Sequence, residues 1–251
     1  MSNEWTQPGV PALSVIVPAF NEEGLLESSV RALRNALDGI GVASEIILVD
    51  DGSADRTGAI VDSLAKDLRD VRSFHQSNKG IGGAFITGAN LARGEYIMLW
   101  PADMPAAPGD FAPYVAKFGR ADAVVGCRRR RLGYNPLMRV NAWIYPKLVA
   151  LLFGLRVRDV NWIHAYRREI FLRMHLTQKG IPMLAEALVR LRDSGASLVE
   201  VDVAMKPRLH GVSSASRPRV MLATLKGLLS FWDTWRIERQ SNPKKDSRAH
   251  P

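Results

Sequence analysis

Apolar residues follow two rhythms in the first half of the chain. Residues 13–18 (LSVIVP), 45–49, 71–75, 95–100 and 121–126 are short, largely apolar runs, and their length and composition predict strands. Between them, apolar residues recur three and four apart. Over 21–37, Leu25, Leu26, Val30, Leu33 and Leu37 share one broad face, with Glu22 and Glu23 where a helix's first turn favours negative charge. Residues 55–68 repeat the pattern with Ile60, Leu64 and Leu68, and 82–93 predict a third helix with Gly94 as its C-cap. Apolar strands alternating with helices imply a mostly parallel α/β sheet covered on both faces. Ligands of such sheets bind outside the carboxyl ends of the strands. Residues 18–21, 50–53, 77–80 and 101–103 should therefore share one rim.

The second half is less regular. Residues 137–153 predict an apolar helix, or two, interrupted at Pro146. A short helix over 167–174 follows, then an amphipathic helix over 182–193 that carries Glu186, then a strand over 198–205. The last helix, 218–236, carries Met221, Leu222, Leu225, Leu228, Leu229, Trp232 and Trp235. The expected organisation is an N-terminal tail (1–12), one domain (13–215), an amphipathic helix (216–239) and a polar, disordered tail (240–251).

Composition narrows the class. The chain has 251 residues, 47% of them hydrophobic, enough for one sizeable core. A single cysteine, Cys127, excludes an internal disulfide framework and fits a reducing compartment. The opening MSNEWTQPGVPA lacks the apolar core of a secretory signal. The longest apolar stretch, near 142–155, contains Pro146 and Lys147 and falls short of the about 20 residues that span a bilayer. The expectation is a cytoplasmic protein, able to meet the inner face of the cell membrane peripherally. The net charge is +9, with an unbroken arginine run from Arg128 to Arg131 and a second basic cluster from Arg217 onward. Such charge suits phosphate-rich ligands, anionic lipid or nucleic acid, or simply keeps the protein soluble. No basic face with interleaved aromatics matches a nucleic-acid module, so no nucleic-acid partner is expected.

The stretch VDDGSADRT puts Asp50 and Asp51 where an apolar strand ends. Carboxylates at such a rim can accept hydrogen bonds from the N–H groups of a nucleobase, and Ser53 can cap the next helix. The plain alternative is an Asx turn. Gly80, Gly82 and Gly83 spell neither a dinucleotide fingerprint nor a P-loop. Taken in order, however, VPAFNEE, VDDGSADRT, SNKGIGGAFITGANLARGEYIMLW and Asp103 make the chain resemble the family 2 glycosyltransferases. Over roughly 13–208 it looks most like the dolichol- or polyprenyl-phosphate sugar synthases.

That resemblance implies the GT-A fold, a Rossmann-like and mostly parallel sheet, followed here by the C-terminal amphipathic helix. It also implies a nucleoside-diphosphate sugar as donor, a lipid phosphate as acceptor, and inversion of configuration. By the same resemblance Pro18, Phe20 and Glu22 line the base and ribose pocket, and Asp51, with Asp50, contacts the base. Asn78 and Lys79 approach the nucleotide, with Gly80 permitting close backbone passage. Lys206, Arg208, His210, Gly211 and Ser213 match a loop that closes over the donor. Asp103, Glu186 and Arg208 are the residues expected to act in the transfer itself.

One mismatch stands out. The family's Asp-X-Asp, which holds Mg²⁺ or Mn²⁺ against the donor, reads Pro101-Ala102-Asp103 here. One carboxylate plus phosphates and water can hold a hard cation, so metal use is weakened rather than removed. Arg128, Arg129 and Arg131 are expected to neutralise part of the leaving diphosphate instead; a solvated basic loop is the alternative. A phosphate acceptor needs no general base, and the chain lacks the Glu-Asp pair often found where a hydroxyl attacks. Asp159, His164, Glu186 and His210 are the remaining ionisable candidates. Arg139, Arg208 and the basic loop are expected to bind the acceptor phosphate. Two further readings are a transferase with a soluble or glycan acceptor and a non-catalytic nucleotide-sugar binder. Trp143 to Phe153 and Met221 to Trp235 are candidates for contact with an anionic membrane surface.

Overall fold

Continuous apolar runs make the centre of one sheet. β1 (Leu13–Ala19), β2 (Ser44–Asp50), β3 (Val71–His75) and β4 (Tyr96–Leu99) alternate with α1 (Leu26–Asp38), α2 (Thr57–Asp67) and α3 (Gly80–Leu91). Then follow α4 (Pro108–Val115), β5 (Ala123–Arg128), α5 (Pro136–Phe153), β6 (His164–Arg167), α6 (Arg168–Leu172), α7 (Pro182–Asp193), β7 (Leu198–Val203) and α8 (Pro218–Ser241). The computed structural model describes residues 9–104, 106–129, 134, 136–204 and 218–241. Among them the strand order is β3-β2-β1-β4-β6-β5-β7. β6 is antiparallel to β4 and β5, and every other pair is parallel.

Side chains alternate across a strand, so β1 and β2 feed two cores. Val15, Val17 and Leu48 pack with Leu33 and Leu37 of α1, Val61 of α2 and Phe111 of α4. Ile16, Ile47 and Val49 pack with Phe85 of α3, Val149 of α5, Leu188 of α7 and Phe231 of α8. A sheet buried on both faces favours apolar residues at nearly every position, which is why its strands read as largely apolar runs; buried Ser14 donates to Glu45 Oε1 at 2.6 Å.

The differences from the sequence pattern have local causes. α1 starts at Leu26 rather than 21, because Asn21 has φ +55° and cannot enter a right-handed helix. α3 ends where Ala92 turns extended (ψ 145°), so Gly94 is not a C-cap. Gly94 instead lets Ser14 approach: a Cβ there would lie 2.6 Å from the Ser14 nitrogen. α5 runs through Pro146 as one helix. α8 extends to Ser241, into the segment expected to be disordered; 242–251 lie outside the described residues. Neither α4 nor β6 is evident in the sequence pattern. β6 is only HAYR and passes directly into α6. Being antiparallel, it starts at the carboxyl edge, and this brings residues 158–163 to the rim.

Candidate active site

The loops after β1 and β2 are stitched together at that rim. The backbone N–H groups of Asn21, Glu22 and Glu23 donate to Ser53 Oγ (3.0 Å), Thr57 Oγ1 (2.8 Å) and Asp55 Oδ2 (3.3 Å). In return Asn21 Oδ1 accepts the Ala54 N–H (2.9 Å) and Glu23 Oε2 the Arg56 N–H (3.1 Å). Glu22 and Glu23 therefore precede α1 rather than form its first turn. Ser53 does not cap α2; Asp55 Oδ1 accepts the Thr57 N–H instead, at 2.9 Å. This clasp carries half-buried Pro18 and Glu22, and Phe20, which is 48% exposed.

The adjacent carboxylates diverge. Asp50 Oδ1 accepts the Ser53 N–H at 3.1 Å, and Oδ2 lies 3.0 Å from His75 Nδ1. His75 Nε2 reaches Asp62 Oδ1, also at 3.0 Å. Burial alone would raise the Asp50 carboxyl, but hydrogen bonds from Ser53 and His75 outweigh it and hold the group below its ordinary range. His75 is shifted up, first by its bond to Asp50 and then by that to Asp62. Asp62 is held down, chiefly by His75. The imidazolium is thus favoured between two carboxylates. Its contribution to stability should be full below its ordinary 6.5 and lost as pH rises through the raised folded value. The Asp50 and Asp62 contributions should fade only as pH falls through their lowered folded values. Urea unfolding of wild type and His75→Gln across pH is expected to show a stability difference that shrinks on the alkaline side; a pH-independent difference would contradict the bridge.

Asp51, equally buried, turns the other way. Its Oδ1 accepts Gln76 Nε2 at 2.6 Å and the Lys79 N–H at 2.8 Å. Thr87 Oγ1 donates to Gln76 Oε1 at 2.7 Å and so fixes which end of that amide meets Asp51. Among the described residues Oδ2 has no hydrogen-bond partner. Gly52 makes the turn possible: its φ is +78°, and a Cβ would lie 2.9 Å from the Asn78 nitrogen. Asn78 is exposed, and its Oδ1 accepts the N–H of Gly80, whose φ is +74°. Gln76 is a site residue that the sequence reading missed; its signal is its place one residue before the rim segment at the end of β3.

Asp103 follows β4 in a turn closed by the Met104 N–H donating to the Pro101 carbonyl at 3.2 Å. Pro101 supplies no side-chain donor there. Among the described residues no group of three or more His, Cys, Asp or Glu is placed to hold an ion. An ion at Asp103 would therefore need ligands from the donor phosphates and water as well.

Arg128 corrects the expectation that it faces a diphosphate. Its guanidinium is buried and forms a two-pronged pair with Asp159, Nε to Oδ2 at 2.6 Å and Nη2 to Oδ1 at 2.7 Å. Nη2 also donates to the Asn161 carbonyl at 3.2 Å, Nη1 donates to the Tyr134 hydroxyl, and the group lies 4.5 Å from the Trp162 ring centroid. Arg129, one step along the strand, is exposed and paired with Asp202 at 3.2 Å. Arg139 is exposed and donates to the Tyr134 carbonyl at 3.3 Å. His164 is a core residue whose pKa burial lowers, favouring the uncharged ring, with Nε2 on the Val160 carbonyl at 2.9 Å. Glu186 is likewise fully buried, with both oxygens occupied by protein donors; it is not placed to touch a substrate. Arg131, Lys206, Arg208, His210, Gly211 and Ser213 lie outside the described residues.

Known proteins resemble this chain in sequence and in fold. The model of the family described as Glycosyl transferase family 2 matches residues 14–186. Polyprenol monophosphomannose synthase of Mycolicibacterium smegmatis is 31% identical over 231 residues, 84% of each chain. Undecaprenyl-phosphate 4-deoxy-4-formamido-L-arabinose transferase of Shewanella sediminis is 30% identical over 207 residues, 80% of this chain; the match spans 61% of that transferase's length. Among solved structures, glucosyl-3-phosphoglycerate synthase of Mycobacterium tuberculosis, in complex with Mn²⁺, UDP and phosphoglyceric acid, superposes with a TM-score of 0.67. That superposition covers 91% of this chain and 84% of the synthase at 19% identity, a likeness of fold.

Proposed function

Since this chain belongs to glycosyl transferase family 2 and is a glycosyltransferase of GT-A fold, we propose that it moves a sugar from a nucleoside diphosphate to a polyprenyl phosphate, with inversion. The observation that carries the reading is Asp51: a buried carboxylate, oriented through one oxygen by Gln76 and Lys79, with the other left for a ligand. A nucleobase N–H is a fitting donor to it. Pro18, Phe20 and Glu22 flank the base and ribose, and Asn78 to Gly80 pass beside the diphosphate at the start of α3, where a helix favours negative charge.

An oxygen of the acceptor phosphate attacks the anomeric carbon, and the bond to the diphosphate oxygen breaks. The nucleoside diphosphate departs with the electron pair. The nucleophile is already anionic, so no proton has to be removed. The work left to the protein is orientation and offsetting the charge of the departing diphosphate. We assign the acceptor phosphate to exposed Arg129 and Arg139 together with Arg208, and closure over the donor to Lys206, His210 and Ser213. Asp103 sits beside the leaving group.

The test is a thermal-shift screen of UDP, GDP and their sugars, followed by transfer assays with polyprenyl phosphate and with water-soluble acceptors. A stabilising nucleoside diphosphate and transfer to the lipid are expected. No stabilisation by any of them, or transfer only to soluble acceptors, would overturn the reading. Because Pro101 removes one of the two carboxylates that would hold a metal against the donor, transfer is expected to persist, at least in part, in excess EDTA. Complete loss that Mg²⁺ or Mn²⁺ restores would show an ion held by Asp103 and the donor phosphates.

A lipid acceptor also needs a surface. No described helix is long and apolar enough to cross a membrane. α5, however, exposes Trp143 (62%) and Leu151 (81%), with Lys147 Nζ 3.3 Å from the Trp143 ring centroid. α8 exposes Leu222, Leu225 and Leu229, with Arg236 over Trp232. The helices meet where Phe153 stacks on Phe231 at 4.9 Å. Apolar side chains with basic neighbours suit an anionic headgroup zone. In flotation with phosphatidylglycerol-containing vesicles the protein is expected to rise with the lipid, and less so at high salt. Equal recovery with neutral vesicles, or none with either, would contradict this surface.

A further inference from the structure

Glu186 lies deep in α7, and its carboxylate holds a loop. The Thr177 N–H reaches both of its oxygens, at 3.0 and 2.9 Å. Oε1 also accepts the Thr177 hydroxyl at 3.0 Å and Arg190 Nε at 2.9 Å, and Oε2 accepts the Gln178 N–H at 2.8 Å. One residue on, the Lys179 carbonyl accepts the N–H of Gly82 in the first turn of α3, at 2.8 Å. The approach depends on glycine: a Cβ on Gly82 would lie 2.5 Å from that carbonyl oxygen. From the opposite side Asp51 holds the Lys79 N–H. Residues 79–82 are therefore fixed between two buried carboxylates, one directly and one through a loop.

α8 braces the same loop from outside. A Cβ on Gly227 would lie 2.7 Å from Pro182 Cγ and 2.9 Å from Gln178 Oε1. Arg190 is itself held by Glu238 of α8, at 2.9 and 3.2 Å.

We propose that Glu186 is a positioning residue for the donor: through Thr177, Gln178 and the Lys179 carbonyl it fixes the turn at the start of α3 in the geometry that receives the diphosphate. This rests on the reading of Asp51 and residues 76–80 as the donor pocket. Every bond to Glu186 is donated to it, so a carboxylate is required. An amide would turn an NH₂ towards one of those donors and loosen the loop. Small displacements at a binding turn have large kinetic consequences, since a misplacement of about 1 Å can cost roughly 100-fold.

The test compares wild type, Glu186→Gln and Gly82→Ala. Gly82→Ala displaces the Lys179 carbonyl while leaving Glu186 untouched, so it reads the relay even if Glu186→Gln fails to fold. Affinity for UDP and GDP is measured by calorimetry, amide exchange over 79–83 by mass spectrometry, and KM for donor and acceptor separately. Both variants are expected to exchange faster at 79–83 and to bind the preferred diphosphate about tenfold or more weakly. Donor KM should rise while acceptor KM stays within about twofold, a split that general destabilisation would not produce. If wild type binds a diphosphate and the folded variants match it, the relay is overturned alone. If wild type binds neither, the donor-pocket reading falls, and the relay with it.

Discussion

Arg128→Ala is expected to cost about 3–5 kcal/mol of folding stability, the range for breaking a buried ion pair from one side. For a chain of this size that corresponds to a fall in Tm of about 6–20 °C. The side chains of Arg128 and Asp159 are only 5% and 4% exposed, and two hydrogen bonds join them. Truncation takes the guanidinium and its two hydrogen bonds away from the buried Asp159 carboxylate. It also removes the donors that reach the Asn161 carbonyl and the Tyr134 hydroxyl. Arg128→Lys should recover little, because a single ammonium cannot reproduce the two-pronged fork. An apolar pair, Arg128→Met with Asp159→Leu, should recover much of the loss, since removing one partner of a buried pair costs more than replacing both. Urea unfolding of the four proteins measures this. An Arg128→Ala protein within about 1 kcal/mol of wild type would mean that the pair does not hold this part of the fold.

The same arginine marks the limit of reading the chain locally. Four consecutive arginines look like one basic patch. Yet β5 reaches Arg128, and successive strand residues face opposite ways. Arg128 turns inward to a partner 31 residues away, while Arg129 turns outward to Asp202. Nothing near residue 128 announces Asp159. The central strands were legible because burial on both faces leaves largely apolar runs. β6 was not, because four residues that pass straight into a helix carry neither a period nor a turn signal. The rim was legible as a place, since strand ends carry their polar residues at once. The division of labour on it was not. Asp50 and Asp51 differ by one residue, and that step sends one carboxylate to His75 and the other to Gln76. Glu186 was legible as notable, but its role depends on Thr177, Gln178 and Lys179, which only the folded chain brings beside Gly82.

Asp51→Asn separates ligand recognition from fold more cleanly than any other change at the rim. Asparagine keeps a carbonyl oxygen where Oδ1 accepts from Gln76 and Lys79, so the turn and its glycine retain their bonds. What changes is the other terminus. An acceptor with no partner among the described residues becomes an NH₂ donor, and it would face the N–H of a base. Losing a charge-assisted hydrogen bond costs about 1.5–3 kcal/mol, which is roughly a 10- to 150-fold weaker Kd for the nucleoside diphosphate. kcat/KM should fall by at least as much, while the urea midpoint stays close to wild type. Asp50→Asn should act in the opposite sense, because both Asp50 oxygens serve the turn and His75: stability falls, and its dependence on pH flattens. Calorimetric titration of UDP and GDP into the two variants, beside unfolding curves, tells the roles apart. If Asp51→Asn binds the preferred diphosphate as tightly as wild type, Oδ2 of Asp51 does not read the base, and the pocket must be sought elsewhere on the rim.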